Sequence, residues 1–310
     1  MMSDRLSGRV DSQDPNDQVR GNNQAGSRDD SPTPDVVAGH PKTGPIHPNR
    51  LHELAASLSD VDRAVIDVLS LVRMASGAQL NRLLWPTTPS GARAARRRLK
   101  RLTELRVVAR LHRQVGGIKG GSQGYTYALD VAGQRLSQTR HTRVVRRPEP
   151  SDAFVDHTLG VTDIYVTLRE AAMAGAIELE MFRAEPDCWR HYTGPGGRPA
   201  TLKPDAYAAW LTPEWELLAF FEVDRGTEHI GRLKRKISQY LRYWRTGDEQ
   251  RDSAGAFPSV VWVAHDERRA QVLRTVIADV PEAAEICVAI TAAQLAGFIT
   301  NTPREEVNNP

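Results

Sequence analysis

Three carboxylates near the middle of the chain are spaced so that they could share one metal ion. Asp205 lies in a Lys-Pro-Asp-Ala-Tyr segment, and Glu222 and Asp224 end the hydrophobic stretch that follows. Residues i and i+2 of a strand face the same side, so Glu222 and Asp224 would point together, and Asp205 on a neighbouring strand can meet them. Carboxylates suit Mg²⁺ and Mn²⁺, and such an ion can assist phosphodiester hydrolysis. The spacing therefore predicts a Mg²⁺ or Mn²⁺ site.

The segment after these carboxylates, residues 228–245, is predicted to be an amphipathic helix. Arg232, Lys236, Gln239 and Tyr243 share the face beside its apolar stripe. We expect Lys236 to orient the attacking water or to steady the charge on the phosphate, and Gln239 and Tyr243 to contact DNA or to brace the metal ligands. The candidate catalytic residues are thus Asp205, Glu222, Asp224, Lys236, Gln239 and Tyr243.

A structural role could also explain these charges. Asp224 would then be a surface charge at the end of a strand, and Glu222 would pair internally with Lys236 or Arg232, because a buried carboxylate is costly unless it is paired. His157 lies on or beside an apolar helical stripe, where a histidine is more often a core residue than a catalyst.

The periodicity of residues 152–300 predicts the element order α-β-β-β-α-β-α-β. The stretch 215–224 is apolar on both faces, which is typical of a central strand. Asp205 is placed within a strand over 202–211, and the strand pair is closed by a short turn at 212–214. Residues 185–200 contain proline, glycine and polar residues and are predicted to be a loop.

Residues 51–140 predict a first domain of three helices followed by a hairpin with a glycine-rich tip at 116–124. That order is typical of a winged helix-turn-helix, whose third helix enters the major groove. The alternative is a solvated basic helix beside an ordinary hairpin. If the domain binds DNA, the candidate contacts are Arg93, Arg96, Arg97, Lys100 and Arg101 on the third helix and Lys119 in the hairpin.

Length and composition set the remaining expectations. A chain of 310 residues is long enough for two domains. Residues 1–50 have almost no large apolar side chains and predict a disordered tail, as do residues 301–310, and residues 141–151 read as a linker. The two cysteines are too few and too far apart for a disulfide framework or a zinc site, and no apolar run approaches membrane-spanning length. We therefore expect a cytoplasmic protein without a membrane partner.

The second domain resembles the PD-(D/E)XK nuclease superfamily. Pro204-Asp205 stands as the PD, Glu222-Val223-Asp224 as the (D/E)XK strand, and Gln239 to Tyr243 is similar to the Q-x-x-x-Y motif of the RecB-like branch. The sequence departs from the pattern because Asp224 occupies the position of the lysine. Some members supply that lysine from the following helix, where Lys236 is placed to do so. The resemblance implies a metal-dependent DNA endonuclease fold.

From about Ser59 to Pro281 the chain also resembles the actinobacterial replication-relaxation family. The resemblance rests on the winged helix, the His-Thr-Leu-Gly-Val-Thr-Asp run at 157–163, the Lys-Pro-Asp segment, residues 222–228, and the spacing of Lys236 and Tyr240. It implies a role in plasmid replication and plasmid DNA relaxation, with double-stranded DNA and replication proteins as partners. A dimer is plausible.

Together these patterns predict an α+β or α/β protein: a winged helix-turn-helix followed by a restriction-endonuclease-like domain that nicks or cuts DNA. One alternative is a non-catalytic winged-helix regulator or replication adaptor with a degenerate nuclease fold. A transcriptional repressor dimer is another. Topoisomerase-type relaxation through a covalent tyrosine stays open as a further alternative, although no tyrosine lies in a recognisable relaxase context.

Overall fold

The first described elements are helices and short strands that follow each other closely. The computed structural model describes residues 46–111, 124–137, 150–226, 228–252 and 255–301. Its first part contains α1 (Pro48–Ser57), α2 (Asp60–Val72), β1 (Met74–Ser76), α3 (Gly77–Leu84), α4 (Pro89–Glu104), β2 (Val108–Arg110), β3 (Thr126–Leu129) and α5 (Val131–Leu136).

Side-chain caps fix where two of these helices begin. Ser59 and Asp62 form a reciprocal capping box at the start of α2, and Ser76 and Gln79 form another at the start of α3. Thr88 caps α4, which begins at Pro89. The three predicted helices and the following strand pair are present.

Two features of this part were not predicted. The strand β1 lies between α2 and α3 and pairs antiparallel with β3, which gives a three-stranded sheet in the order β1-β3-β2. Three residues are too few to show strand alternation in a sequence. Helix α1 begins inside the predicted tail. The rest of that tail, the glycine-rich segment up to residue 123 and most of the predicted linker lie outside the described residues.

The second part is built on a mixed five-stranded sheet. Its order is β10-β9-β8-β7-β4, with β8, β9 and β10 mutually parallel and β7 antiparallel to both of its neighbours. The elements are α6 (Asp152–Met173), β4 (Glu178–Ala184), β5 (Arg190–Thr193), β6 (Pro199–Leu202), β7 (Ala206–Leu211), β8 (Glu216–Asp224), α7 (Ile230–Trp244), α8 (Asp248–Asp252), β9 (Ser259–Ala264), α9 (Glu267–Ala278), α10 (Ala283–Ile286), β10 (Cys287–Thr291) and α11 (Leu295–Asn301).

The prediction of a mixed helix and strand fold is confirmed. The long helices and sheet strands follow the predicted order, and β8 is the central strand as expected. The prediction of a loop over 185–200 was wrong, since β5 and β6 form a hairpin there. Asp205 lies just before β7 and not within a strand: the predicted strand is interrupted at Pro204, which has no N–H to donate to a neighbouring strand.

Helix α6 packs against both parts of the described chain. Val161, Ile164 and Leu168 share one continuous core with residues of α2 and of the sheet. On the side facing α3, the amide of Gln79 donates to the Leu159 carbonyl (2.9 Å) and to the Asp163 carboxylate (2.6 Å). The predicted division into domains at 51–140 and 152–300 therefore runs across a shared core, and it stays a prediction.

The two faces of the large sheet pack against different helices. Phe221 points toward α6, whereas its neighbour Phe220 points into a second core formed with α7 and α9. All described residues belong to a single compact unit. No helix in the described ranges is long and apolar enough to cross a membrane.

Gly160 allows α6 to approach the end of β8, and a side chain there should disrupt the packing. A Cβ at Gly160 would lie 2.7 Å from the Val223 Cγ1, and a valine in a strand has little freedom to move away. We expect Gly160→Leu to lower the free energy of unfolding by about 1–3 kcal/mol through overpacking, as measured by urea denaturation.

The matched control is Gly297→Leu in α11, where an added Cβ meets nothing within 4 Å. It should be neutral or slightly stabilising, because leucine is the better helix former. Equal stability of the two variants would show that the contact between α6 and β8 does not constrain the fold.

Candidate functional site

Two of the predicted carboxylates and the predicted lysine meet on the sheet face covered by α7. Asp205 precedes β7, Glu222 lies near the end of β8, and Lys236 projects from α7. Tyr240 lies one turn further along the same helix, and His157 reaches the site from α6. We call these five residues the carboxylate–lysine cluster.

Glu222 is the more buried of the two carboxylates in the cluster, with a relative exposure of 1%. The Lys236 ammonium donates to one of its carboxylate oxygens and the Tyr240 hydroxyl donates to the other. Burial raises the pKa of Glu222 to about 8, although the charge of Lys236 acts in the opposite direction. Glu222 is therefore a desolvated carboxylate whose two oxygens are both held by α7.

Asp205 is held from three directions. Its Oδ2 accepts a hydrogen bond from the Val223 N–H (2.8 Å), while its Oδ1 lies 3.4 Å from the His157 Nε2 and 3.8 Å from the Lys236 Nζ. Burial acts to raise the pKa of Asp205, but the charge of Lys236 and the contacts with His157 and Val223 outweigh it and lower the pKa.

Asp205 acts to raise the pKa values of both Lys236 and His157. Burial acts to lower the pKa of Lys236, but the charges of Glu222 and Asp205 overcome this and raise it. The hydrogen bond to Asp205 raises the pKa of His157, although burial opposes the shift. Lys236 is thus a cation that bridges two carboxylates.

Asp224 shares a strand face with Glu222 but has different partners. The Arg269 guanidinium from α9 donates to both of its carboxylate oxygens (2.7 and 2.8 Å), and the Gly226 N–H also donates to it (2.6 Å). Arg269 donates in addition to the Glu228 carbonyl (2.8 Å), so the pair ties the segment after β8 to α9. Asp224 is only 3% exposed and anchors this connection.

The structure does not bring Gln239 and Tyr243 to the cluster. Gln239 is exposed on α7, and the Tyr243 hydroxyl donates to Glu249 (2.6 Å), which is also held by Arg190. The residues that sequence reasoning left out of the candidate site are Tyr240 and His157. For Tyr240 a signal was available, because the spacing i, i+4 from Lys236 places both side chains on one side of a helix.

Four of the predicted DNA-binding residues form a stripe on α4. Arg93, Arg96, Arg97 and Lys100 are exposed, and their spacing of i, i+3, i+4 and i+7 places them on one helical face. We call them the basic stripe. Arg101 turns with Arg98 toward the buried Asp62 instead (3.4 and 3.2 Å). Lys119 lies outside the described residues.

Asp205 and Glu222 are the members of the cluster that could hold a magnesium or manganese ion. Mg²⁺ is commonly held by one or two carboxylates together with waters and substrate phosphates. Asp205 and Glu222 supply such oxygens, and the partly exposed side chains of Lys236 and His157 connect the cluster to solvent. Among the described residues, no group of three or more His, Cys, Asp or Glu is arranged to hold a metal. Both carboxylate oxygens of Asp224 already accept hydrogen bonds from Arg269.

The fold and the site together define a mixed α and β protein with a buried carboxylate–lysine cluster on its main sheet. A family model described as replication-relaxation matches residues 66–260, which is more than half of the chain. The protein belongs to the replication-relaxation family. Its membership points to a role in plasmid or mobile-element replication or relaxation. No curated protein and no solved structure shows significant similarity to the chain.

The contacts of Asp224 predict that its removal harms stability even when no metal is available. Asp224→Ala leaves the largely buried Arg269 without its partner, and breaking a buried pair costs about 3–5 kcal/mol. We expect a correspondingly lower denaturation midpoint in the presence of EDTA.

Glu267→Ala serves as the control, because Glu267 pairs with Arg274 near the protein surface and exposed pairs contribute little. If Asp224→Ala were as stable as the wild type in EDTA but bound Mn²⁺ more weakly, Asp224 would be a metal ligand and not a structural anchor.

Proposed function

We propose that this protein binds double-stranded DNA and nicks or cuts it in a reaction that depends on Mg²⁺ or Mn²⁺, as part of plasmid or mobile-element replication and relaxation. The observation that carries the proposal is the convergence of Asp205, Glu222 and Lys236 on one sheet face. Two carboxylates and one lysine form the functional set that the resemblance to PD-(D/E)XK nucleases implies, with the lysine taken from α7.

Each residue of the cluster has a distinct task in this proposal. Asp205 and Glu222 would hold the cation, which would polarise the phosphate and lower the pKa of a bound water. Lys236 is placed beside both carboxylates and would orient the water or stabilise charge on the phosphate. Tyr240 fixes the Glu222 carboxylate and His157 steadies Asp205, so both act as positioning residues.

The first part of the chain supports the DNA-binding half of the proposal. Helices α2, α3 and α4 with the β1-β3-β2 sheet follow the element order of a winged helix-turn-helix, in which the third helix enters the major groove. The basic stripe would then lie against phosphates and base edges, and Lys119 in the predicted wing would add a phosphate contact. Replication proteins and a second copy of the chain are proposed as further partners.

A second function, that of a non-catalytic regulator or replication adaptor, is favoured by a different observation. Both oxygens of Glu222 are already engaged by α7, and Asp224 is engaged by Arg269. A degenerate site could be held together by internal ion pairs of this kind and bind no metal. In that case the basic stripe would carry the activity, and the second part of the chain would serve as an interaction module.

Cleavage of supercoiled plasmid with Mg²⁺ or Mn²⁺ distinguishes the two functions. The wild type should give nicked or linear DNA, and Asp205→Ala, Glu222→Ala and Lys236→Met should each lower the rate by about 100-fold or more, because each removes a group that acts on the phosphate. Chelation with EDTA should abolish cleavage.

Lys234→Met is the matched control for Lys236→Met. Lys234 lies on the same helix but pairs with Asp279 at the surface, so its loss should leave the rate unchanged. If the wild type gives no product while all variants still bind DNA, the nuclease proposal fails and the adaptor remains.

The basic stripe predicts a salt-dependent contribution to DNA affinity. Each phosphate contact contributes about 0.9 to the slope of log K against log salt concentration, so Arg93→Gln/Arg96→Gln/Arg97→Gln should lower a slope measured by anisotropy by up to about 3. Arg268 is an exposed arginine of α9. Arg268→Gln removes the same charge as the single variant Arg96→Gln and is therefore its control. An unchanged slope in the triple variant would place the DNA contact elsewhere.

A further inference from the structure

A cavity of about 540 Å³ opens beside the carboxylate–lysine cluster and has no role in the function proposed above. It is bounded by the β5–β6 hairpin, the end of α7 and α8. Its walls include Trp189, Arg183, Arg190, Tyr243, Glu249 and Arg251. A volume of this size is typical of sites that hold small organic groups.

The cavity and the cluster lie on the same face of the sheet, one step apart along the strands. The Arg190 guanidinium stands over the rings of Tyr207 (4.7 Å) and Phe220 (5.1 Å). Tyr207 follows Asp205 by two positions and Phe220 precedes Glu222 by two, so all four side chains face the same side. Two residues of a strand span about 6.6 Å, so the Arg190 wall of the cavity is offset from the carboxylates by about this distance along the strands.

Lys203 and α7 also connect the cavity with the carboxylate–lysine cluster. The Lys203 ammonium lies 4.4 Å from the centre of the Trp189 ring, and Lys203 is two residues before Asp205. On α7, Tyr240 contacts Glu222 while Tyr243, almost one turn later, lines the cavity. A DNA strand held at the cluster would therefore pass next to the cavity, and an unstacked strand extends further per nucleotide than the rise of about 3.4 Å in a stacked one.

The chemistry of the walls suits a nucleobase attached to a phosphate backbone. Trp189 offers an aromatic surface, and its indole N–H is a buried donor with no acceptor among the described residues. Glu249 is neutralised by two hydrogen bonds from Arg190 (2.8 and 3.0 Å) and by Tyr243, so it does not leave an open negative charge in the wall. Asp187 and Asp248 also line the cavity, and Asp248 is paired with Arg251, so the exposed Arg183 is the wall residue placed to meet a phosphate.

We propose that this cavity receives a base from an unstacked DNA strand, one or two nucleotides from the phosphate held at the carboxylate–lysine cluster. The inference rests on the proposed function, because it takes the cluster as the place of the phosphate. A base inside a stacked duplex cannot enter a lateral cavity, so the cavity selects single-stranded or locally opened DNA. Aromatic stacking and arginine contacts hold such strands without strict sequence preference.

Binding of single-stranded DNA by the full chain in EDTA tests the inference without cleavage. Trp189→Ala should weaken the affinity for a single-stranded oligonucleotide by about 10-fold, whereas affinity for the matching duplex should stay within about twofold. Trp189→Phe keeps an aromatic face and should recover most of the affinity. Trp215→Ala, which removes an exposed tryptophan from the β7–β8 turn, is the control and should bind as the wild type does.

Two further measurements keep the test decisive if Trp189→Ala does not fold. Arg183→Gln/Arg251→Gln changes only exposed residues of the cavity and should also weaken single-strand binding selectively. With the wild type, 2-aminopurine placed at successive positions of the oligonucleotide should change its emission strongly at one or two positions only. A uniform response along the strand would overturn the inference.

The outcomes separate this inference from the nuclease proposal. Single-strand binding that depends on Trp189, with no cleavage in Mg²⁺ or Mn²⁺, would support the base site and reject the nuclease. Cleavage that depends on Glu222, with single-strand affinity within about twofold of wild type in Trp189→Ala, would support the nuclease and overturn the base site. Equal losses in Trp189→Ala and Trp215→Ala would also overturn it.

Discussion

The ion pair between Lys236 and Glu222 is the interaction on which the site depends. Glu222 lies in the centre of the main sheet, where an unpaired carboxylate would be strongly unfavourable. Lys236 and Tyr240 satisfy both of its oxygens from one helix, which fixes how α7 lies across β8. Loss of Lys236 would leave Glu222 buried with only the Tyr240 hydroxyl as a partner, and loss of Glu222 would leave Lys236 with Asp205 alone. The same contact therefore determines helix placement and brings a cation to the two carboxylates.

Helix α6 contacts both the carboxylate–lysine cluster and the part of the chain that contains the basic stripe. On one side of α6, His157 contacts Asp205 and Gly160 lies against Val223. On another side, Asp163 accepts a hydrogen bond from Gln79 of α3. Helix α3 packs in turn against α4, which carries the basic stripe. Among the described residues, α4 is therefore connected to α6 through packed helices and hydrogen bonds.

Much of the fold could be predicted because periodicity is a local property. The bounds of β9 and the central position of β8 follow from runs of apolar residues, and the meeting of Asp205 with Glu222 follows from a hairpin with a short turn. The β5–β6 hairpin was missed because its residues alternate weakly and most of them are polar or proline. A short polar hairpin has no apolar face for a sequence pattern to show.

The partners of the charged residues were harder to predict, because they come from distant parts of the chain. Arg269 follows Asp224 by 45 residues, and no local pattern indicates that α9 turns this guanidinium toward the end of β8. His157 precedes Asp205 by 48 positions and resembles a core histidine by its helical position. The three-carboxylate site was inferred from strand alternation alone. Alternation shows which face of the sheet a side chain lies on, but it does not show that Arg269 binds the Asp224 carboxylate.

The pairing of Asp224 with Arg269 explains why the lysine of the site comes from a helix. A lysine at position 224 would face Arg269, and two like charges in a largely buried environment repel each other strongly. With Arg269 on α9, an acidic residue at position 224 is paired and a lysine would not be. The cation beside Glu222 is Lys236, which comes from the adjacent helix. In the proposal of a nuclease site, the departure from the nuclease pattern at Asp224 and the placement of Lys236 are therefore two consequences of one charge arrangement.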